Sequence, residues 1–288
     1  MTDRRIKKAQ SFAFDGSNRS FLYAMYCASI DLYAGIKTIP RSWRLAAFEI
    51  KRMYKRTVIG PWWIVLQDLF YILGLGLFWS LLLKEPSPDY LAHFATGYIG
   101  FSLLAGLLTD GSATFVNFAQ TTSRVDANLT SISWFVVFRK FAVFFHSLLA
   151  LVIVLTINGY KFSIFNAIYL IVFFCLVLIN SFFLSLWVGS LTCRFRDLQP
   201  MIELLTRILF FLTPVFWSLD SVVGTPLENI ATYNPFYYFI ETFRAAIFSS
   251  SISWELLYAL VIITCVNSIL GFLVFTFFRN QIPRLVKA

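Results

Sequence analysis

The chain has 288 residues, of which 58% are hydrophobic, 19% aromatic and only 14% charged, with a net charge of +9. A soluble domain of this size needs far more charge to cover its surface, so the composition excludes a water-soluble fold and points to a chain embedded in a bilayer. The positive surplus does not mark a nucleic-acid binder. Of the 24 Lys/Arg, 12 precede Pro61 and most others fall in short loops on one side of the apolar runs, which is the distribution of cytoplasmic loops.

Residues 1 to 19 are polar and basic and read as a cytoplasmic tail. No apolar stretch follows Arg4, Arg5, Lys7 and Lys8 at signal-peptide distance, so no cleaved signal is expected. Residues 20 to 36 are too short and too mixed to span. Pro40 opens a helix expected to run from Arg41 to Ile59. At about 100° per residue, Trp43, Ala46, Ala47, Ile50, Met53, Tyr54 and Val58 share one arc and Arg41, Arg44, Lys51, Arg52, Lys55 and Arg56 the opposite one. That pattern predicts a helix lying in the membrane interface. Gly60-Pro61 breaks it. Trp62 then begins an apolar run to Leu83 whose one charge is Asp68. Trp62 and Trp79 are about 26 Å apart at helical rise, matching two aromatic belts.

A second span is predicted over residues 93 to 115, where Gly97, Gly100, Gly106 and Gly111 allow a neighbouring helix to approach. Residues 117 to 140 are polar and then amphipathic. They include Arg124, Asp126 and Asn128, and either Asp126 or Asn128 suits the cap of a short helix. Further spans are predicted over 141–157, 164–192, 201–217 and 254–278. Arg194, Arg196 and Asp197 close the fourth. Between the fifth and sixth lie Pro226, the Asn234-Pro235 turn and an amphipathic helix over 236–248, too short to cross and so re-entrant or interfacial. The expected fold is all-α and polytopic: an N-terminal region, 1–60, carrying the interface helix, and a six-helix membrane domain, 61–281. With six spans both termini share one side. That side holds all but Lys84, Lys161 and Arg244 of the Lys/Arg, so both termini are cytoplasmic.

The ionisable residues within the spans are Asp68, Asp110, His146, Glu203 and Arg207, each within about two turns of the cytoplasmic boundary. None sits at mid-membrane, which argues against an ion-coupled transporter. Glu203 and Arg207, at i,i+4, read as mutually neutralising, and His146 as a packed histidine. The four cysteines have no metal or redox spacing and read as small buried hydrophobes. No catalytic set and no phosphate-binding loop appears, so no cofactor is expected on this chain; if ATP drives it, another chain binds the nucleotide. The surplus of aromatics suits a passage for sugar rings, or simply Phe in place of Leu against lipid.

The stretch Tyr54-Lys-Arg-Thr-Val-Ile-Gly-Pro-Trp-Trp-Ile-Val-Leu resembles the corresponding motif of ABC-2 type permeases that export bacterial surface polysaccharides. Three further stretches resemble the same family in the same order: Arg194-Phe-Arg-Asp-Leu-Gln-Pro, Ile208-Leu-Phe-Phe-Leu-Thr-Pro-Val-Phe-Trp, and Asn234-Pro-Phe-Tyr-Tyr-Phe-Ile-Glu-Thr-Phe-Arg244. The resemblance covers about residues 40 to 280. It implies a homodimer in the bacterial inner membrane, two separate ABC ATPase subunits holding ATP and Mg, and a lipid-linked (undecaprenyl-type) polysaccharide as cargo. O-antigen is the nearest flavour, with capsule and teichoic acid exporters sharing much of the pattern. It further implies ATPase coupling and lipid-headgroup contact by Arg52, Tyr54, Lys55, Arg56, Gly60, Pro61, Arg124, Asp126 and Asn128. Arg194, Arg196 and Asp197 would form a cytoplasmic loop. Thr213, Pro214, Asn234, Pro235, Glu241 and Arg244 would form a periplasmic gate. Two rivals stand beside this reading: a secondary transporter or channel, and a membrane-embedded glycosyl- or lipid-modifying enzyme, which would need a surface cluster of acids or histidines.

Overall fold

A computed structural model describes residues 21–84, 88–121, 128–160, 164–248 and 253–285, and all regular structure among them is helical. In chain order the helices are α1 (Phe21–Lys37), α2 (Ile39–Met53), α3 (Trp62–Leu82), α4 (Pro88–Ser112), α5 (Thr114–Thr121), α6 (Leu129–Ile157), α7 (Ile164–Arg194) and α8 (Leu198–Leu212). A 3-10 turn (Leu219–Val222) follows, then α9 (Pro226–Tyr233), α10 (Pro235–Phe248), α11 (Trp254–Phe278) and α12 (Ile282–Leu285).

Among the described residues, five helices are long and apolar enough to cross a membrane: α3, α4, α6, α7 and α11. α4 is the central one. It packs against α3, α6, α7, α8 and α10, and 67% of its apolar window is buried, against 28 to 39% for the others. Phe94, Ala95 and Ile99 on α4 meet Ile72 from α3, Phe144 from α6, Phe173 from α7 and Phe243 from α10 in one core. A second core lies at the end of the bundle that carries α1 and α2, where Ala28, Ala46, Trp134, Phe182 and Phe275 join α1, α2, α6, α7 and α11.

Three predicted boundaries are corrected. The helix of the third span begins well before 141: α6 is one continuous helix of 29 residues, and the predicted span is its C-terminal part. It has no Gly or Pro to interrupt it, and the basic pair expected to end a helix is held by a neighbouring carboxylate instead. The interface helix stops at Met53 rather than Ile59, and residues 54–61 form a turn. The predicted fifth span, 201–217, is a helix of only 15 residues that ends at Leu212. Thr213 is extended (φ −98°, ψ 141°), as the residue before a proline prefers, and Pro214 cannot donate a helical hydrogen bond. The amphipathic segment predicted over 236–248 is α10. Two cysteines also differ from expectation: Cys27 and Cys193 are buried, but Cys175 and Cys265 are exposed on the outside of the bundle.

Candidate functional site

The sequence-predicted residues fall at two ends of the bundle. At the end that carries α1, α2 turns Ser42, Ala46 and Ile50, one per helical turn, onto α6. Ser42 Oγ donates to Ser131 O at 3.1 Å, and the Trp43 ring meets Phe138 edge-on at 5.6 Å between centroids. Arg41, Arg44, Lys51, Arg52, Lys55 and Arg56 are left exposed, with Arg52 bonded to Glu49 at 2.7 Å. The corner after α2 is tied by hydrogen bonds. Thr57 Oγ1 donates to Tyr54 O at 2.9 Å and accepts from Gly60 N at 3.1 Å. Gly60 has φ +66°, a left-handed conformation that side chains disfavour, and Pro61 at φ −63° leads directly into α3. Burial raises the Tyr54 phenol pKa, and the Asp68 charge adds to it.

Asn128 caps α6: its Oδ1 accepts from Thr130 N at 3.3 Å. Its Nδ2 donates to Asp31 O at 3.1 Å, and Thr130 Oγ1 donates to the same carbonyl at 2.7 Å. The Asp31 carboxylate is itself paired with Arg279, and both residues are buried. Thus α1, whose segment sequence reasoning left without a role, locks the start of α6 to the end of α11. Arg124 and Asp126 lie outside the described residues. Arg194, Arg196 and Asp197 are exposed on the turn between α7 and α8.

At the other end the predicted gate residues converge on the non-helical stretch 213–217. Asn234 Nδ2 donates to Thr213 Oγ1 at 2.8 Å, and Asn234 Oδ1 accepts from Phe236 N at 3.0 Å, capping α10 behind Pro235. Arg244 is 4% exposed. It donates to Glu241 Oε1 at 2.5 Å, to Val215 O at 3.0 Å and to His93 O at 3.3 Å. Tyr90 OH donates to Phe216 O at 2.8 Å, and Trp79 stacks on Phe216 at 4.3 Å. Pro214 is buried in the middle of this set. The carbonyls that the broken helix leaves without a backbone donor are therefore met by side chains, as burial demands. Gly97 makes the approach possible: a Cβ there would lie 2.4 Å from Arg244 Nη2 and 2.7 Å from Val215 O.

Beside the stretch opens a cavity of about 570 Å³ whose lining includes Asp89, His93, Tyr160, Trp217, Ser218 and Ser221. Tyr160 OH donates to Asp89 Oδ1 at 2.7 Å. Burial, then that bond and the Asp89 charge, push the phenol up to about 12. Tyr90, His93, Asp31 and Arg279 were missed by sequence reasoning. Asp31 and Arg279 carried the one available signal, a charge at the edge of an apolar run.

Of the intramembrane suspects, Asp68 is buried and accepts from Tyr98 OH at 3.3 Å. Asp110 is paired with Arg139 and Lys140, and His146 Nδ1 donates to Ala142 O on its own helix at 2.7 Å. Glu203 and Arg207 depart from expectation: both are exposed on α8, and no ion pair joins them among the described residues. Around them Met201, Leu204, Leu205, Ile208 and Phe211 are exposed too, as are Trp62, Phe70, Tyr71 and Phe78 on α3. A face bearing both ions is costly against lipid tails. No group of three or more His, Cys, Asp and Glu able to hold a metal occurs among the described residues.

Residues 41–248 match the ABC-2 type transporter family. The chain belongs to that family. The matched region runs from the first turn of α2 to the last residue of α10, and so contains both the Gly60-Pro61 corner and the Arg244 cluster of this ABC-2 protein. Two curated relatives from Klebsiella pneumoniae are both named O-antigen export system permease protein RfbA. One is 22% identical over 238 residues and the other 21% over 239 residues; each alignment covers 83% of this chain and 92% of the relative. The ABC-2 chain is accordingly a multi-pass membrane subunit of a transporter.

Proposed function

We propose that this ABC-2 chain is the transmembrane subunit of an ATP-driven exporter of a lipid-linked polysaccharide, most specifically O-antigen. The observation that carries the reading is the similarity to the two O-antigen export permeases along nearly their whole length. In this reading the chain sits in the bacterial inner membrane with both termini in the cytoplasm. Two copies pair with two ABC ATPase subunits, which bind ATP and Mg. The exposed faces of α3 and α8 meet across the dimer or line its passage, which gives Glu203 and Arg207 a polar surrounding. α8 together with residues 213–248 completes the sixth crossing as a broken, re-entrant element, and the Arg244 cluster holds its outer turn as the gate.

Coupling runs through the corner. Thrust from an ATPase on the exposed basic face of α2 passes to α6 through Ser42, Ala46 and Ile50, and to α3 through the tied turn at Gly60-Pro61. The same basic face attracts anionic headgroups, at roughly 1 kcal/mol per charge.

The test is deletion of the gene in its native cell. Surface O-antigen should disappear while the lipid-linked glycan accumulates inside, and the native chain should restore export. Gly60→Ala should insert and dimerise normally but export poorly; Gly60→Asn, which tolerates the left-handed conformation better, should retain more activity. Normal surface O-antigen after deletion would refute the cargo assignment. Full export by Gly60→Ala would refute the corner.

A further inference from the structure

α4 and α6 bring three ionisable side chains to one point. Arg139 Nη2 lies 3.2 Å and Lys140 Nζ 3.3 Å from the same oxygen, Asp110 Oδ2. One carboxylate cannot neutralise two cations, so among the described residues the set carries a net positive charge. The side chains of Asp110, Arg139 and Lys140 remain 28%, 29% and 22% exposed, so the charge can be reached from outside the bundle. Gly106, one turn before Asp110, makes room for it: a Cβ there would lie 2.5 Å from Lys140 Nζ. The Lys140 amine thus lies directly on the α4 backbone.

Depth decides which anion it meets. Asp68 on α3 and Ser147 on α6 are neighbours, and in the topology above both helices run outward. Asp68 is about 9 Å beyond Trp62 along α3, and Ser147 about 12 Å beyond Arg139 along α6. Arg139 and Lys140 therefore lie within a helical turn of Trp62 and Trp63, at the level where aromatic residues meet headgroups. The anion concentrated at that level is phosphate carried by lipid.

We propose that Asp110, Arg139 and Lys140 form a binding site for the phosphate headgroup of a lipid in the cytoplasmic leaflet. The Arg139 guanidinium offers paired donors and Lys140 a point charge. Asp110 holds both cations in place and competes with the ligand for them. Two sources share this chemistry: a bulk anionic phospholipid, and a polyprenyl pyrophosphate. The site rests on the membrane placement of α6 and not on the cargo, so an export assay and a lipid-binding assay can fail separately.

The test uses the full chain in phosphatidylcholine nanodiscs containing a minor fraction of phosphatidylglycerol, of a long-chain polyprenyl pyrophosphate, or of both, with retained lipids counted by native mass spectrometry. The native chain should retain phosphate-bearing anionic lipid. R139Q/K140Q should weaken retention by roughly thirtyfold, about fivefold for each charge removed. D110N should strengthen it by removing the competitor. The triple variant D110N/R139Q/K140Q loses the cations without stranding a carboxylate, so its loss of lipid cannot come from misfolding around Asp110. Displacement of phosphatidylglycerol by polyprenyl pyrophosphate would assign the site to the carrier; no displacement would assign it to bulk phospholipid. Equal retention by the native chain and the triple variant would overturn the proposal, as would D110N leaving retention unchanged or lowering it.

Discussion

Arg244→Met asks how much the gate cluster depends on one guanidinium. The methionine keeps most of the apolar stem but removes three hydrogen bonds, to Glu241, Val215 O and His93 O. Val215 is fully buried in a stretch with no helical donors, so its carbonyl is left without a partner. Interhelical hydrogen bonds inside membranes average well under 1 kcal/mol, because the unfolded chain also finds partners. Breaking a buried, charge-assisted set costs about 3–5 kcal/mol. The second figure governs here at its lower end, since the Glu241 side chain left behind keeps 27% of its surface exposed to solvate its charge. A loss of about 3 kcal/mol lowers the melting temperature by roughly 6–12 °C for a chain of this class. Arg244→Lys, which keeps charge but not the fork, should lose about half of that. Glu241→Gln, on the wetter partner, should lose less still. Thermal unfolding in detergent, followed by tryptophan fluorescence, reads the order directly. A melting point for Arg244→Met within a degree or so of native would refute the claim that Arg244 holds the broken helix; so would Glu241→Gln proving equally damaging.

Gly97→Ala should destabilise by about 1–3 kcal/mol through overpacking against Arg244 and Val215, whereas Gly74→Ala, where a Cβ meets nothing within 4 Å, should be neutral or slightly stabilising; equal melting points would contradict the close approach at Gly97. Asp31→Leu should strand Arg279 at a cost of about 3–5 kcal/mol and speed proteolysis of α1, and adding Arg279→Met should recover much of the loss; a double variant worse than the single would count against the ion pair as the source. The Tyr160 phenol has its pKa raised from 10.0 to about 12. It contributes stability that is complete below pH 10 and is lost as pH climbs through 12. Tyr160→Phe should therefore be less sensitive than native across that window, and parallel pH profiles would show that the Asp89 bond is not formed.

Much of the architecture was legible before any coordinates. The apolar runs, the basic face before Gly60 and the short helix after Pro235 are properties of contiguous residues, and helices appear at each. The errors have the same origin. Arg139-Lys140 looked like the end of an amphipathic segment ahead of the third span because two adjacent cations normally seek water; α6 instead runs through them, and Asp110 on another helix pairs with both. The helix after Pro200 looked long enough to cross because its apolarity continues to Trp217, while the stop is set by Pro214. Glu203 and Arg207 looked self-neutralising because i,i+4 spacing permits it, but spacing does not oblige two exposed side chains to meet.

By itself the sequence determined the class and the breaks at Pro61, Pro214 and Pro235. Hydrophobicity and proline act within one stretch of chain. Only the tertiary structure decided that Asp31 meets Arg279 across 248 residues, that Arg244 reaches back 151 residues to His93 O, and that one carboxylate on α4 holds two cations from α6. Such pairings depend on which helix faces turn toward each other. That is fixed by the packing of small residues such as Gly97 and Gly106 against distant backbone and side chains, and no local pattern encodes it.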